Sequence, residues 1–319
     1  MKGRIIINIE PYFKTNNVTL YQSDNLELLK QIPNNHIDLI YCDILYGTGR
    51  NFGDYQDLKA NKKIIEEHYI PRFKEMYKIL KDTGSIYLHM DAKIVHWIRN
   101  IMDDIYGYNN FKNEIIWKFA TSGRRSKSKF YHTYDIILKY AKSFKYEMKD
   151  CNLDYEIDTS NYTGYFQDID GWFNLGAVGD YSETSLEKLK KENKLYKTKK
   201  GTYYLKCYVK EKDGKLFKTK QISDVWDDIM SLQTITTKKE IRNQKTGYAT
   251  QKPKELLERI IKVSSDKGDL VADFYMGSGT TGEVALELGR RFIGCDIGDN
   301  ACEISKERIN KVINTPDQI

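Results

Sequence analysis

Residues 270–282 have the sequence LVADFYMGSGTTG, an apolar run followed by a glycine-rich loop. Gly277, Gly279 and Gly282 fit the pattern GxGxxG, and Asp296 follows Gly277 by 19 residues (296 − 277). Glycines at such a strand-to-helix turn let a nucleotide approach the backbone, and an acidic residue at this distance accepts hydrogen bonds from ribose hydroxyls. The same spacing also occurs in tight turns that bind nothing. The position of the motif in the chain therefore has to decide whether this loop binds a nucleotide.

The motif comes late in the chain. A nicotinamide-binding enzyme usually opens with this unit and continues through further strands, but only 23 residues follow Asp296 here (319 − 296). Strands from the N-terminal half must therefore complete the sheet. One of them is the apolar segment Ile37–Cys42, which runs directly into Asp43. Because ligands bind at the carboxyl ends of parallel strands, we expect Asp43 and the glycine loop to share one crevice.

Segments of strand and helix type alternate along both ends of the chain. Apolar residues recur at helical spacing over 70–80, and a strand is expected over 85–90. After residue 253 the predicted elements are a helix over 254–264, a strand over 270–273, a helix over 280–288 and a strand over 291–296. This alternation predicts an α/β fold with a doubly wound, mostly parallel sheet.

Residues 144–245 lack this rhythm and are rich in Lys, Asp, Asn and Tyr. They are expected to form an inserted, irregular region between two halves of one domain, residues 1–143 and residues 246–319.

Composition excludes several classes of protein. The 319 residues carry a formal net charge of +6, and the longest apolar run near the start, Ile5–Ile7, is too short for a membrane span or a secretory signal. The five cysteines form no CxxC pair, so structural zinc and disulfides are not expected. A reducing, cytoplasmic location is expected instead. No His, Cys and Asp residues are grouped at ligand spacing, so we expect no metal.

Asp43 begins the segment Asp43-Ile44-Leu45-Tyr46. An exocyclic amine of a nucleobase attacks a methyl donor poorly, since its lone pair is delocalised into the ring. Two hydrogen-bond acceptors on its N–H groups would localise that pair, and the Asp43 carboxylate and the Ile44 carbonyl could supply them. Tyr46 offers a flat face for stacking on a base that has been taken out of the helix. This segment is therefore the predicted catalytic site, with Leu45 as its fourth member.

Taken together, these motifs resemble the beta class of S-adenosylmethionine-dependent DNA amino-methyltransferases, which modify adenine N6 or cytosine N4. In that family the catalytic motif comes first, the target-recognition region follows and the cofactor motif comes last. The resemblance implies a Rossmann-like methyltransferase fold with this permuted motif order. It makes residues 1–143 the catalytic half, 144–245 the target-recognition region and 246–319 the cofactor-binding half.

The resemblance also implies S-adenosylmethionine as cofactor and assigns its ligands. Asp24 would contact the cofactor's adenine, Thr250 and Lys252 would lie near its methionine carboxylate, and Asp296 would hold its ribose. The implied cofactor-binding residues are Asp24, Thr250, Lys252, Asp273, Tyr275, Gly277, Ser278, Gly279, Thr280 and Asp296.

The chain departs from the family at one place. The family usually has Asp-Pro-Pro-Tyr, but Ile44 and Leu45 replace both prolines here. The replacement adds two N–H donors and flexibility, because proline has no N–H and a fixed φ. We expect an active enzyme; the alternative is an inactive DNA-binding subunit of a restriction or modification assembly.

The target base follows from the first residue of the motif. In this family Asp usually accompanies adenine N6 and Ser cytosine N4, so Asp43 predicts N6-methyladenine. Cytosine N4 and an RNA substrate stay as alternatives. Cytosine C5 methylation would need a Cys after a Pro, and none of the five prolines is followed by one.

A basic segment is the predicted contact to duplex DNA. Residues 115–150 hold nine Lys or Arg and three acids, a net charge of +6 (9 − 3). Basic residues interleaved with small and aromatic ones suit contacts to phosphates and bases, although a solvated loop would have a similar composition. The predicted DNA-binding residues are Arg124, Arg125, Lys127, Lys129 and Tyr131. The family also has homodimers and partner restriction endonucleases, so both are expected as partners. His89 and His96 are predicted to belong to core elements.

Overall fold

Strands from both ends of the chain pair in one sheet of nine strands. The structure is a computed structural model that describes residues 8–53, 55–119, 127–128, 130–149, 151–158, 163–233 and 238–314. In spatial order the strands are β1 (Phe13–Lys14), β2 (Val18–Gln22), β16 (Arg291–Asp296), β15 (Leu270–Asp273), β3 (Ile37–Asp43), β4 (Leu80–Met90), β6 (Tyr134–Ala141), β5 (Phe111–Lys118) and β14 (Val225–Trp226).

The centre of this sheet is parallel. Strands β2, β16, β15, β3 and β4 all run in the same direction, and β14 runs parallel to β5. Antiparallel pairing is limited to β1 with β2 and to β6 with its two neighbours. The predicted α/β fold with a mostly parallel sheet is confirmed.

Helices cover the sheet in two groups. The helices of this unit are α1 (Asn25–Leu29), α2 (Lys62–Ile79), α3 (Val95–Tyr106), α5 (Lys239–Asn243), α6 (Lys254–Ser264), α7 (Thr280–Glu287) and α8 (Asp299–Ile313), with a short 3-10 helix at Tyr108–Asn110. Helix α2 packs against α1 and α3, and α7 packs against α6 and α8. The crossovers from β3 to β4 and from β15 to β16 leave in opposite directions, so right-handed connections place the two groups on opposite faces.

Strand β3 shows how the core is divided. Ile40 and Cys42 point into the cluster formed with α1, α2 and α3, whereas Leu39 and Tyr41 lie on the other face because side chains alternate along a strand. All four side chains are at most 1% exposed. A strand buried on both faces has the nearly continuous apolar sequence that β3 shows.

Two elements differ from the sequence prediction. Helix α2 begins at Lys62 rather than near residue 70, since the Asn61 side chain caps it by accepting a hydrogen bond from the Ile64 amide. Strand β4 begins at Leu80 rather than at Ser85, because Leu80 already pairs with Ile37 of β3. The predicted helical spacing therefore marked only the second half of α2, although Ile65 and Tyr69 in its first half are buried as well.

A second compact unit comprises Cys151–Ile222. It contains a four-stranded antiparallel sheet, a three-stranded antiparallel sheet and one helix. The elements are β10 (Leu195–Lys197), β11 (Tyr203–Tyr208), β9 (Gly171–Ala177) and β8 (Tyr165–Asp168), then β12 (Lys210–Lys212), β13 (Lys215–Gln221) and β7 (Asn152–Glu156), and α4 (Glu183–Lys191). Its two ends meet, since the Ile222 amide donates to the Cys151 carbonyl oxygen at 2.7 Å. The role of residues 144–245 as a target-recognition region stays a prediction.

Within the described ranges, no helix is long and apolar enough to cross a membrane.

The contact between α7 and β16 generates a prediction about stability. A Cβ at Gly282 would lie 2.6 Å from Cε1 of Phe292, which is 1% exposed and has no room to move aside. We expect Gly282→Ala to lower the free energy of unfolding by about 1–3 kcal/mol, measured by urea denaturation. Gly179→Ala is the control, because a Cβ there meets no atom within 4 Å. Equal stability of the two variants would contradict the tight packing of α7 on β16.

Candidate active site

Three acidic residues end neighbouring strands at one edge of the sheet. Asp43 ends β3, Asp273 ends β15 and Asp296 ends β16. These strands are parallel and adjacent, so their carboxyl ends open on the same side. The direction of winding changes between β15 and β3, and such a switch point is where open α/β sheets bind ligands.

A cavity of about 510 Å³ lies at this edge. Its walls include every residue that was predicted to act in catalysis or cofactor binding except Gly279. Those lining residues are Asp24, Asp43, Ile44, Leu45, Tyr46, Thr250, Lys252, Asp273, Tyr275, Gly277, Ser278, Thr280 and Asp296. Motifs from both ends of the chain therefore surround one space.

The glycine loop accepts no side chain at two positions. Gly277 has a φ of 49°, and a Cβ there would lie 3.2 Å from the Tyr248 ring. Gly279 has a φ of 73°, and a Cβ there would lie 2.6 Å from Oγ of Ser305. Ser305 also donates from Oγ to the Gly277 carbonyl at 2.9 Å, and Arg308 donates to the Ser278 carbonyl at 3.1 Å. Ser305 and Arg308 of helix α8 thus hold the glycine loop against the helix.

Asp273 ties the two ends of this loop together. Its Oδ1 accepts from the Tyr275 amide at 3.0 Å and its Oδ2 from the Thr281 hydroxyl at 2.6 Å. Burial raises the pKa of Asp273 to about 7, although these two hydrogen bonds act in the opposite direction. The position of Asp273 suits a residue that shapes the loop.

The Asp296 carboxylate is held by backbone amides. Its Oδ2 accepts from the Gly277 N–H at 2.9 Å and its Oδ1 from the Gly298 N–H at 3.0 Å. A carboxylate oriented in this way at the cavity wall can accept hydrogen bonds from hydroxyl groups of a ligand.

Asp24 is anchored by a residue that the sequence analysis missed. Both oxygens of Asp24 accept from Nη2 of Arg72, at 3.0 and 2.8 Å, and Asp24 also caps α1 through the Leu26 amide. Arg72 Nε donates to Oδ1 of Asn25 at 2.6 Å, and Asn25 Nδ2 donates to the Phe274 carbonyl at 2.8 Å. Arg72 therefore links α2 and α1 to the strand that carries the glycine loop. It follows Pro71 within an apolar helical pattern, where nothing in the spacing marks a polar role.

Three further predicted residues contact neighbours within the cavity wall. The Tyr275 hydroxyl lies 3.2 Å from Nε2 of His68. Burial and the charge of Arg72 lower the pKa of His68 to about 4. Thr280 Oγ1 lies 3.3 Å from the Lys252 carbonyl, to which it donates. Thr250 forms a side-chain hydrogen bond with Tyr55.

Both oxygens of the Asp43 carboxylate have partners. Lys252 Nζ donates to Oδ2 at 2.6 Å, and the Tyr46 hydroxyl lies 2.9 Å from Oδ1. Lys252 also lies 5.1 Å from the centre of the Tyr46 ring. A residue predicted to face the cofactor thus neutralises the predicted catalytic carboxylate.

The two residues that replace the family's prolines are fixed to the sheet and to α2. The Ile44 amide donates to the His89 carbonyl at 3.0 Å, a bond that proline could not make. The Leu45 carbonyl accepts from the Tyr69 hydroxyl at 3.0 Å, and Ile44 is 1% exposed. These contacts oppose the flexibility that was expected from the loss of the prolines.

The segment after Tyr46 also borders the cavity, which the sequence analysis did not predict. Asp57, 3% exposed, accepts from the amides of Gly47 at 3.2 Å and Thr48 at 2.7 Å. The rings of Phe52 and Tyr55 stack at 5.1 Å. Asp57 gives this turn a fixed shape, and only the Gly47-Thr48-Gly49 run hinted at a turn.

The described part of the predicted DNA-binding segment lies at the same edge. Strand β5 ends and β6 begins at the edge that carries Asp43, because β6 is antiparallel to β4. Lys127 and Tyr131 are exposed. Arg124, Arg125 and Lys129 lie outside the described residues, so their predicted role in DNA binding stays a prediction.

Among the described residues, no three His, Cys, Asp or Glu side chains are grouped so that they could hold a metal ion. The five cysteines are free thiols.

Comparison with known proteins gives consistent matches. A family model described as DNA methylase, covering adenine-N6 and cytosine-N4 enzymes, matches residues 37–307. The DNA adenine methyltransferase YhdJ of Escherichia coli (strain K12) is 26% identical over 292 residues, which are 92% of this chain and 82% of YhdJ.

Two solved structures share the fold. The PvuII DNA methyltransferase, cytosine-N4-specific, matches with a TM-score of 0.57 at 14% identity, over 95% of this chain and 93% of that one. The M1.HpyAVI–SAM complex matches with a TM-score of 0.51 at 18% identity, over 92% and 99% of the two chains. The family model covers most of the chain and includes both the segment at Asp43 and the glycine loop, so the protein belongs to the N6/N4 DNA methylase family.

Proposed function

We propose that the protein transfers a methyl group from S-adenosylmethionine to N6 of an adenine that is flipped out of duplex DNA. The observation that carries the proposal is the placement of the Asp43 carboxylate and the glycine loop in one cavity. It would act in a restriction-modification system or as an orphan modification enzyme. A homodimer, a partner endonuclease and a cytoplasmic location stay predictions.

The cavity residues fit S-adenosylmethionine. Gly277 and Ser278 of the glycine loop line the cavity, and the Asp296 carboxylate is aligned by two amides. Asp296 would accept from ribose hydroxyls, Asp24 would face the adenine, and the ammonium group of Lys252 would pair with the methionine carboxylate. A SAM complex of a protein with this fold supports the same cofactor here.

The chain's own residues would then activate the amine. When bound, the cofactor would supply a methyl group on a sulfonium centre, and its sulfur would keep the S–C electron pair as the amine nitrogen forms the N–C bond. The amine proton that is lost would pass to solvent by way of the Asp43 carboxylate, which accepts that N–H. The Asp43 carboxylate would accept one N–H of the adenine amine, and the Ile44 carbonyl the other. Tyr46 would stack on the flipped base. Lys252 would have to leave Asp43 Oδ2 for that oxygen to receive the amine.

The choice of adenine rests on the residue at position 43. In the family an Asp there usually accompanies adenine, and the E. coli relative is named an adenine methyltransferase. The test is mass spectrometry of nucleosides from unmethylated DNA incubated with the protein and S-adenosylmethionine. N6-methyladenine supports the proposal, and N4-methylcytosine would overturn the base assignment. No modified base, beside an active control enzyme, would point to an inactive subunit or to an RNA substrate.

The first variant tests the acceptor. We expect Asp43→Ala to slow methyl transfer by roughly 10²–10⁴-fold, because the amine loses its anionic acceptor. Binding of S-adenosylmethionine, measured by calorimetry, should persist. Asp104→Ala is the control, since Asp104 is exposed on α3. Transfer at the wild-type rate in Asp43→Ala would refute the assigned role.

The second variant tests the ribose ligand. Asp296→Ala should weaken binding of S-adenosylmethionine by about 1.5–3 kcal/mol, the contribution of charge-assisted hydrogen bonds. Calorimetric titration measures the change, and Glu303→Ala on the exposed side of α8 is the matched control. An affinity equal to that of the wild type would mean that the ribose lies elsewhere.

The third test concerns the basic segment. Reversing the charges of Arg124, Arg125, Lys127 and Lys129 should weaken DNA binding and flatten its salt dependence by roughly 0.9 for each lost phosphate contact. Fluorescence anisotropy at several salt concentrations gives the slope.

Its control reverses four exposed lysines at the opposite end of the sheet, late in α2, α6 and α8 and before β15: Lys74, Lys262, Lys267 and Lys311. A slope that is unchanged in the first set, or equally changed in both, would leave the basic segment as ordinary solvated surface.

A further inference from the structure

A buried histidine–aspartate pair lies behind the predicted catalytic loop. His89 on β4 is 0% exposed and Asp135 at the start of β6 is 8% exposed. His89 Nε2 lies 3.1 Å from Oδ2 of Asp135, and the same Oδ2 lies 2.9 Å from the hydroxyl of Tyr46. Because Tyr46 also contacts Asp43 at 2.9 Å, the pair connects to the predicted acceptor through one hydroxyl group.

The contacts define which atoms donate. Burial acts to raise the pKa of Asp135, but the hydrogen bond and charge of His89, the charge of Lys252 and the bond from Tyr46 bring the pKa below its ordinary value. The carboxylate is thus ionised and can only accept, so His89 Nε2 carries a hydrogen. His89 Nδ1 lies 2.8 Å from the Tyr41 hydroxyl, which can donate to it. A hydrogen on Nε2 thus serves Asp135, while the Tyr41 hydroxyl contacts the other ring nitrogen.

Tyr46 has one hydroxyl hydrogen and two carboxylate neighbours. Each of Asp43 Oδ1 and Asp135 Oδ2 lies 2.9 Å from its oxygen, so the hydrogen serves one of them at a time. When the Tyr46 hydroxyl donates to Asp43, that carboxylate is a weaker acceptor for the target amine. When it serves Asp135, Asp43 Oδ1 is free. The other oxygen, Oδ2, accepts from Lys252 at 2.6 Å in this structure, so Oδ1 is the oxygen whose availability depends on the Tyr46 hydrogen.

We propose that Asp135, held in place by His89, is a positioning residue that draws the Tyr46 hydrogen away from Asp43 and so keeps Asp43 available to the target amine. The inference rests on the proposed function, because it assigns Asp135 a part in activating that amine. His89 acts one step further back, by donating its Nε2–H to Asp135 and fixing the side chain.

Packing alone does not account for this pair. Burying a carboxylate costs free energy unless it is paired, and an apolar side chain would fill the same place without that cost. The described contacts of the Asp135 carboxylate lead to Tyr46 and His89, and through Tyr46 to Asp43. The charged groups near the pair are Asp43 and Lys252, and the ring of Trp117 packs edge-on at 5.5 Å from His89.

A double-mutant cycle tests the proposal. The readout is the single-turnover rate of tritiated methyl transfer from S-adenosylmethionine to unmethylated DNA, with enzyme in excess. We expect Asp135→Asn to slow transfer by roughly 10- to 100-fold, the range of one charge-assisted hydrogen bond, with unchanged dissociation constants for cofactor and DNA. Tyr46→Phe removes the hydroxyl that connects Asp135 to Asp43. In that background Asp135→Asn should cost less than about threefold, because the route for its effect is gone.

A penalty of equal size in both backgrounds would overturn the proposal, and so would a loss of cofactor or DNA binding in place of a slower transfer step. His89→Gln, which keeps a donor near the position of Nε2, should retain most of the rate, whereas His89→Leu should behave like Asp135→Asn. This pair keeps the test decisive if Asp135→Asn does not fold.

A second readout does not depend on methylation. The chain has five histidines, so ¹H–¹⁵N correlation spectra can resolve each ring. Wild-type His89 should show a proton on Nε2 in slow exchange, and Asp135→Asn should shift that resonance while His96→Gln leaves it in place. A His89 ring without a proton on Nε2 would contradict the geometry. A wild-type chain with this signature but without methyl transfer would show that the proposed function had failed and not the pair itself.

Discussion

The pairing of β3 with β15 is the constraint on which the site depends. Asp43 and Asp273 are 230 residues apart in the chain (273 − 43), yet Leu39 pairs with Val271 and Ile40 with Ala272 in parallel register. Parallel register brings both carboxyl ends to one edge, and the reversal of winding at this boundary opens a space between the loops. Without that register the Asp43 segment and the glycine loop would not face the same cavity. The chain therefore assembles one site from its two ends.

Three carboxyl groups around one cavity would repel one another, and each is stabilised differently. Asp43 is paired with the Lys252 ammonium group at 2.6 Å, and Asp296 accepts two backbone N–H groups. Asp273 accepts from the Tyr275 amide and the Thr281 hydroxyl, while burial raises its pKa to about 7. The difference separates their roles: an ion-paired acid can exchange its partner for a ligand, whereas a buried acid with both oxygens bonded inside the loop is suited to holding backbone.

Sequence patterns predicted the elements whose signals are local. Helix α6, strand β15 and strand β16 begin and end where apolar periodicity and glycines placed them. The sharing of one sheet by strands from both ends of the chain was also predicted, whereas the order of the strands was not. The start of α2 was missed because charged residues at 62, 63, 66 and 67 interrupt its apolar pattern, although Ile65 and Tyr69 are buried.

The supporting contacts could not be predicted in the same way. Arg72, Asp57 and Asp135 are single polar residues whose partners are distant in the chain, and no spacing rule connects such pairs. His89 illustrates the limit. Its place in the core was predicted, and it is fully buried, but the partner that its ring meets depends on β6 lying beside β4. Local motifs and the family resemblance thus identified many groups at the cavity wall, but not the single polar residues that hold those groups in place.

The unit of Cys151–Ile222 leaves and rejoins the chain at one point, where the Ile222 amide meets the Cys151 carbonyl and β7 pairs with β13 beside it. A segment whose ends are in contact can be lengthened, shortened or exchanged without altering the distance that the flanking chain has to span. Such an arrangement is modular: the insert can diversify rapidly during evolution while the register that builds the cavity stays constant. It also offers a natural junction for making chimaeras between members of the family.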